Sequence, residues 1–154
     1  MMSTSDRVAD ETLRLSRSLL GVVARSLGDS LEQVTLPQFR VLVLLTARGP
    51  VRMSDLAERM GAVPSTFTRV IDRLEDAGWV SRSPGSGDRR EVLISVTPAA
   101  RQLVDEVTER RRREIARILS HLDTTEQERV REAFLLFTAA AGEPAAEDLL
   151  ILGL

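Results

Sequence analysis

The sequence lacks the residues that most covalent and metal chemistry needs. It has no cysteine, which excludes disulfides, thiol redox sensing and thiolate metal sites. His121 is the single histidine, so a metal site built from several histidines is excluded too. All 21 basic residues are arginine, and the absence of lysine excludes a Schiff base or a phosphate-loop lysine. We find no nucleophile–base pair and expect no enzymatic activity, no metal and no cofactor.

Aromatic residues and long apolar runs are also scarce. One Trp, four Phe and no Tyr predict an aliphatic core and few platforms for stacking single-stranded nucleic acid. The apolar runs are far shorter than the roughly 20 residues that span a bilayer. The polar, acidic N-terminus does not resemble a signal peptide. We therefore expect a cytoplasmic protein with no membrane partner.

The charge balance argues against a generic polyanion binder. The net charge is −2 and the pI is near 5.5, whereas a basic pI is typical of such proteins. A chain of 154 residues has room for one domain, or for one compact unit with a dimerising extension. If DNA is the partner, a local arrangement of arginines has to bind it.

Helical periodicity, caps and turn signals predict six helices and a β-hairpin. Five of the helices begin at a cap or at a proline: the second at a Thr35–Gln38 capping box, the third at Ser54, the fourth at Pro64, the fifth at Thr97–Pro98 and the sixth at a Thr125–Glu128 capping box. The predicted fold is mainly α with a small two- to three-stranded β wing, a winged helix-turn-helix. The predicted division is an N-terminal dimerisation helix, a DNA-binding lobe and C-terminal dimerisation helices, at residues 1–34, 35–97 and 98–154.

The fourth helix has an apolar stripe and an opposite face rich in hydrogen-bond donors. At 100° per residue, one arc of about 100° holds Phe67, Val70, Ile71 and Leu74. The other side carries, with no acid before Asp72, the donors Ser65, Thr66, Thr68, Arg69 and Arg73. Short donors and arginines at a helix N-terminus suit phosphates and base edges. We predict that this face enters the major groove of DNA; the alternative is an ordinary solvated face.

The tip of the hairpin, residues 85–90, is the second predicted DNA contact. Its two glycines allow close approach to another backbone. Arg89 and Arg90 present guanidinium groups that fit a narrow minor groove or its phosphates. Asp88 can accept a hydrogen bond from Arg90 and fix its direction. The alternative is a solvated turn whose charges cancel.

The charges of the lobe leave a second interpretation open. Seven arginines balance seven acids between Arg52 and Val96, so DNA binding requires acids such as Glu58, Glu75 and Asp76 to lie away from the contact face. The neutral balance is also compatible with a winged-helix module that binds protein and not DNA. An acidic surface over the fourth helix would favour that alternative.

Taken together, these motifs resemble the MarR (multiple antibiotic resistance regulator) family. The matching stretches are residues 36–42, 54–61, 64–75, 78–80 and 88–97, and the likeness runs from about Thr35 to Phe137. Val63 departs from the pattern, because the family often has a Ser or Thr cap there. The resemblance implies a ligand-responsive repressor that binds double-stranded DNA as a homodimer, with a small anionic or aromatic effector between its two lobes. The residues that it implies in the major groove are Ser65, Thr66, Thr68, Arg69 and Arg73, with Arg90, oriented by Asp88, in the minor groove.

The first, fifth and sixth helices carry more aliphatic surface than one small lobe can hide. This predicts a homodimer, whose seam also takes in the apolar tail at residues 149–154. Two-fold pairing would set two recognition helices about 34 Å apart and predicts a near-palindromic operator. We interpret the basic run Arg110–Arg113 as a solvated stretch paired with nearby glutamates.

Overall fold

The computed structural model of this protein describes residues 3–85 and 91–142 of the 154 in the sequence. The predicted wing contacts Asp88, Arg89 and Arg90 and the tail at residues 149–154 lie outside the described residues. In the described parts the elements are α1 (Thr4–Leu27), a 3₁₀ turn (Gly28–Glu32), α2 (Leu36–Arg48), β1 (Val51–Arg52), α3 (Met53–Arg59), α4 (Pro64–Asp76), β2 (Val80–Pro84), β3 (Val92–Val96), α5 (Pro98–Leu119) and α6 (Thr124–Ala141).

The three strands form one antiparallel sheet in the order β1-β3-β2. The β2–β3 hairpin pairs Val80 with Val96 at its base, and β1 pairs Val51 with Ile94. The prediction of a mainly α protein with a winged helix-turn-helix and a small sheet is confirmed. The two-residue strand β1 shows no periodicity in the sequence, because alternation cannot be read from two positions.

The core lies between α2, α3, α4, the sheet and the first half of α5. Its fully buried side chains are aliphatic apart from one phenylalanine, as the composition predicts, and include Phe39, Leu42, Leu45, Leu56, Ile71, Leu74 and Ile94. Burying one such side chain stabilises a fold by about 1.5–3 kcal/mol. The core also takes in Leu27 from the end of α1 and Val107 from α5, so both helices are anchored in the lobe.

The predicted helix starts are correct at two caps and wrong at two others. Thr35 accepts from the Gln38 N–H at 3.4 Å and Thr97 accepts from the Ala100 N–H at 3.3 Å. Ser54 does not cap α3, which begins at Met53 directly after β1 because the preceding residue is still extended and paired with β3.

The start of α6 also differs from the prediction. Asp123, and not Thr125, accepts from the Glu126 N–H at 2.8 Å, while the Glu126 carboxylate accepts from the Asp123 N–H at 2.9 Å. Glu128 instead binds Arg131, with the closest atoms 2.7 Å apart. Two overlapping capping patterns lie two residues apart in the sequence, and the aspartate forms the helix start.

Helices α1, α5 and α6 extend from the lobe as an arm with little core of its own. None of the described residues of α6 is buried, and α1 has no buried residue before Val22. The large apolar side chains exposed on α1 and α6 are Val8, Leu13, Leu15, Leu19, Leu20, Phe134, Leu135, Leu136 and Phe137. Among the described residues, no helix combines the length and apolar character that crossing a bilayer requires.

Candidate nucleic-acid interface

The turn between α3 and α4 fixes the start of α4. Gly61 adopts a φ of 59°, which favours glycine, and the Ala62 N–H donates to the Ala57 carbonyl at 3.0 Å. Val63 is extended, with φ −66° and ψ 126°, as is usual for a residue before proline. Pro64 then begins the helix, as predicted. These two helices and their turn are the helix-turn-helix unit of the fold.

The predicted apolar stripe holds α4 against the core. Phe67, Ile71 and Leu74 are buried, and Val70 is partly buried against the same cluster. The opposite face of the helix is therefore turned to solvent. All five predicted contact residues on it are exposed: Ser65, Thr66, Thr68, Arg69 and Arg73.

The start of this exposed face is positively biased. The first turn of α4 contains no acid, and the side chain of Val63 offers no cap to the helix N–H groups. Within residues 3–85 and 91–142, neither Arg69 nor Arg73 has an ion-paired or hydrogen-bonded side chain. Thr68 has an interaction of its own within the protein. The two guanidinium groups can thus reach an external acceptor without first breaking a contact.

Arg82 of β2 binds two of the acids towards the other end of the same helix. Its Nη2 donates to Asp72 Oδ1 at 2.5 Å, and its Nη1 donates to the Glu75 carboxylate. The Arg82 backbone N–H also donates to Glu75 Oε1 at 3.2 Å. Three hydrogen bonds therefore tie β2 of the wing to α4, and we call these three residues the Arg82 latch.

The latch changes the electrostatics of the interface. Burial lowers the pKa of Arg82, but hydrogen bonds to Asp72 and Glu75 and their charges outweigh it and raise the pKa above its ordinary value. The guanidinium therefore keeps its charge at any physiological pH. Asp72 and Glu75 are thus directed to Arg82. Of the acids that DNA binding requires to lie away from the contact face, Glu75 is accounted for in this way.

The latch was not identified from the sequence. A signal for it exists: two acids one turn apart on a helix, followed by an arginine in the next strand. Only the fold, however, shows that β2 returns along α4. The turn that brings it back is held by the Trp79 N–H, which donates to the Leu74 carbonyl at 2.8 Å.

The described part of the wing ends where the predicted tip begins. The Gly85 N–H donates to the Glu91 carbonyl at 2.8 Å and closes the hairpin at that level. Glu91 also forms an ion pair with Arg52 of β1, so β1 supports the base of the tip. The roles of Asp88, Arg89 and Arg90 stay predictions, since these residues lie outside the described part of the chain.

A groove of about 870 Å³ lies beside the lobe, between the 3₁₀ turn and α5. Val96 and Pro98 supply apolar lining. The charged residues along its walls are three arginines and four carboxylates: Arg101, Arg110, Arg113, Asp29, Asp105, Glu106 and Glu109. The walls therefore combine apolar surface with charges of both signs.

The basic run of α5 differs in part from its predicted role. Arg112 pairs with Glu109 at 3.3 Å and is solvated, as predicted. Arg110 and Arg111 instead point to the end of α1, where Arg110 donates to Ser30 Oγ and Arg111 Nε donates to Ser26 Oγ at 3.4 Å. The predicted pairing with nearby glutamates is wrong for these two arginines, because both serines are about 80 residues away in the chain and local spacing cannot reveal them.

An exposed donor face on the second helix of a helix-turn-helix, followed by a three-stranded wing, defines a winged-helix protein of the DNA-binding type. A model of the MarR family matches residues 34–92. The regulator YfiV of Bacillus subtilis is 34% identical over 77% of this chain and 77% of its own length. The transcriptional repressor MdtR of the same species is 31% identical over 96% of this chain and 94% of its own.

Solved structures agree with the sequence relatives. The crystal structure of RV1404 from Mycobacterium tuberculosis is similar with a TM-score of 0.78 and 38% identity, over 93% of this chain and 98% of that chain. The transcriptional regulator Tm0710 from Thermotoga maritima is similar with a TM-score of 0.74 and 25% identity, over 87% of this chain and 94% of that one. The chain belongs to the MarR family of transcriptional regulators.

Proposed function

We propose that this protein is a repressor that binds double-stranded DNA sequence-specifically, as a homodimer on a near-palindromic operator in the cytoplasm. The observation that carries the proposal is the exposed face of α4, where Arg69 and Arg73 have no partner among the described residues and the neighbouring acids bind Arg82. The relative MdtR, which is named as a repressor, supports the direction of regulation.

In this proposal each residue of the face has a stated role. Ser65, Thr66 and Thr68 lie on the first two turns and contact phosphates or base edges of the major groove. Arg69 and Arg73 donate in bidentate fashion to a guanine O6/N7 edge or a phosphate. In the wing, Arg89 and Arg90 contact the minor groove, with Asp88 directing Arg90. The protein-binding alternative is less well supported, because two acids of α4, Asp72 and Glu75, bind Arg82.

The arm supports the homodimer. Its exposed apolar side chains on α1 and α6, among them Leu136 at 74% exposure, need a partner surface. A second copy supplies the same surface by symmetry, and a two-fold axis turns two recognition helices towards one face of a duplex.

A small anionic or aromatic effector relieves repression in this proposal. The groove between the 3₁₀ turn and α5 is the place that supports it best, because Arg101 lies one turn along α5 from Pro98 and can meet an anion beside the apolar Val96 and Pro98. Benzoate is a suitable first probe. We expect it to release DNA from the parent protein and to lose this effect in an Arg101→Gln variant.

The DNA-binding proposal is tested by selecting duplexes from a random pool and measuring their affinity by fluorescence anisotropy at several salt concentrations. Arg69→Ala should weaken specific binding by about 1–3 kcal/mol and relax discrimination at one or two bases. Arg90→Ala should lower the affinity for all duplexes and reduce the salt slope by about one.

The matched control is Arg112→Ala, which removes an exposed arginine from α5 outside the proposed face. It should bind DNA like the parent. If no duplex is enriched at low salt, or if Arg69→Ala and Arg90→Ala both bind like the parent, the proposed function is wrong.

A further inference from the structure

Apolar packing becomes sparse where the arm leaves the lobe. On α5 the last buried side chain is Val107, and on α1 the core cluster ends at Leu27 with Val23 partly buried against it, while Val22 is buried outside that cluster at 2% exposure. Beyond these residues the described parts of α5 and α6 have no buried side chain. Apolar ridges-into-grooves packing leaves a scatter of about 15–20° in the angle between two helices, so it does not by itself fix the angle at which the arm leaves the lobe.

Polar contacts occupy this point of exit. The buried polar residues among those the structure describes are Ser26, at 4% exposure, and Ser30, fully buried. Arg111 donates to Ser26 and Arg110 donates to Ser30, while Arg110 Nη1 also lies 3.6 Å from Asp29 Oδ2. One turn further along α5, Glu114 binds Arg25 of α1 at 3.1 Å. Later residues of α5 contact earlier residues at the end of α1, so the two helices run antiparallel here.

Arg111 occupies a position where a charge has an energetic cost. It is partly buried, it has no carboxylate partner among the described residues, and burial lowers its pKa. Desolvation of a charge without a counter-charge destabilises a protein, so packing alone would favour an apolar side chain at this position. A guanidinium, by contrast, donates in fixed directions within its plane and holds both helices in one relative orientation.

We propose that Ser26, Ser30, Arg110 and Arg111 form a joint that sets the angle between the arm and the DNA-binding lobe, and thereby the spacing of the two recognition helices in the homodimer. The four are positioning residues and contact no DNA. This inference rests on the proposed function for the homodimer, but the orientation of the lobe can be measured without DNA.

The length of α5 turns a small change of angle into a large displacement. From Arg110 to the start of α5 at Pro98 is 12 residues, or about 18 Å of helix. A tilt of about 10° at the joint therefore moves the lobe by about 3 Å, and two-fold symmetry doubles this to about 6 Å. That is nearly two base-pair steps of about 3.4 Å each. In a dimer without the joint, the distance between the two recognition helices would thus vary, and part of this range would not match the spacing of the half-sites in the operator.

The absence of cysteine makes the test direct. A Glu58→Cys variant carries one spin label per protomer on α3, at an exposed residue outside the proposed DNA face. Pulsed electron resonance on the full-length dimer then gives the distribution of distances between the two lobes. The joint is removed from one side by Ser26→Ala with Ser30→Ala, and from the other by Arg110→Gln. Arg112→Gln is the control.

Both joint variants should broaden or shift the distance distribution by at least about 3 Å, whereas the control should not. Affinity for the full palindrome should fall at least about tenfold while affinity for a single half-site stays within about twofold. Folded dimers with an unchanged distance distribution overturn the joint, even if their unfolding midpoint falls. A parent protein that gives no inter-protomer signal because it is monomeric refutes the homodimer itself.

Discussion

Replacing Arg82 by glutamine removes the cation that binds both Asp72 and Glu75. The side chain of Arg82 is 26% exposed, and those of Asp72 and Glu75 are 50% and 37% exposed, so solvent weakens each pair. A solvated ion pair contributes up to about 1 kcal/mol, and hydrogen bonds to partly buried charges contribute somewhat more. We expect Arg82→Gln to lower the free energy of unfolding by about 2 kcal/mol, or by about 1 kcal/mol per carboxylate.

The chain offers a clean signal for this measurement. Trp79 is the only tryptophan and there is no tyrosine, so intrinsic fluorescence reports the turn between α4 and β2. Urea unfolding at fixed protomer concentration gives the difference between variants, because dimerisation makes stability depend on concentration. A cycle with Glu75→Gln isolates the pair, and a coupling energy of about 1 kcal/mol is expected.

Loss of Arg82 should also affect DNA binding. Without Arg82, two carboxylates lose their counter-charge beside the proposed contact face, so the affinity for DNA should fall as well. Arg112→Gln, which breaks a pair with a 74% exposed arginine, should change stability by less than about 0.5 kcal/mol. If Arg82→Gln is no less stable than Arg112→Gln, or if its DNA affinity is unchanged, the latch does not shape the interface.

Three further outcomes follow from the described contacts. Val63→Ser supplies the missing cap of α4 and should raise stability by about 1 kcal/mol relative to Val63→Ala in urea unfolding, and no gain would mean that another group caps the helix. The pKa of Glu114 is lowered mainly by a hydrogen bond from Arg117, so its stabilisation is present above the ordinary glutamate value near 4.5 and is lost as the pH falls. Glu114→Gln should therefore lose less stability than the parent between about pH 5 and about pH 3, and parallel curves would contradict this. Leu136→Asp should convert the proposed dimer to a monomer in sedimentation, whereas Arg131→Asp, about 140° away around the same helix, should not, and a dimeric Leu136→Asp would place the seam elsewhere.

The sequence predicted the interface helix because its signals are local. Phe67, Ile71 and Leu74 recur at the helical period, and Pro64 marks the start, so the inward face and the outward donors follow from fewer than 15 consecutive residues. The resemblance to the family added the expectation of a ligand-responsive repressor with a small effector between its two lobes. Capping was predicted less well, since Thr125 and Asp123 both carry suitable spacing and only one of them begins α6.

Contacts between distant parts of the chain needed the tertiary structure. In the sequence nothing distinguishes Arg82 from another strand arginine, and only the return of β2 along α4 brings it to its carboxylates. Arg110 and Arg111 likewise have the pattern of a solvated run, and only the packing of α1 on α5 brings Ser26 and Ser30 to them. By itself the sequence determined the helices, the hairpin and the side of α4 that is exposed, because periodicity and turn chemistry act between near neighbours. Only the tertiary structure decided which charges are neutralised and how the arm is held, because those hydrogen bonds join residues whose proximity depends on the packing of the whole core.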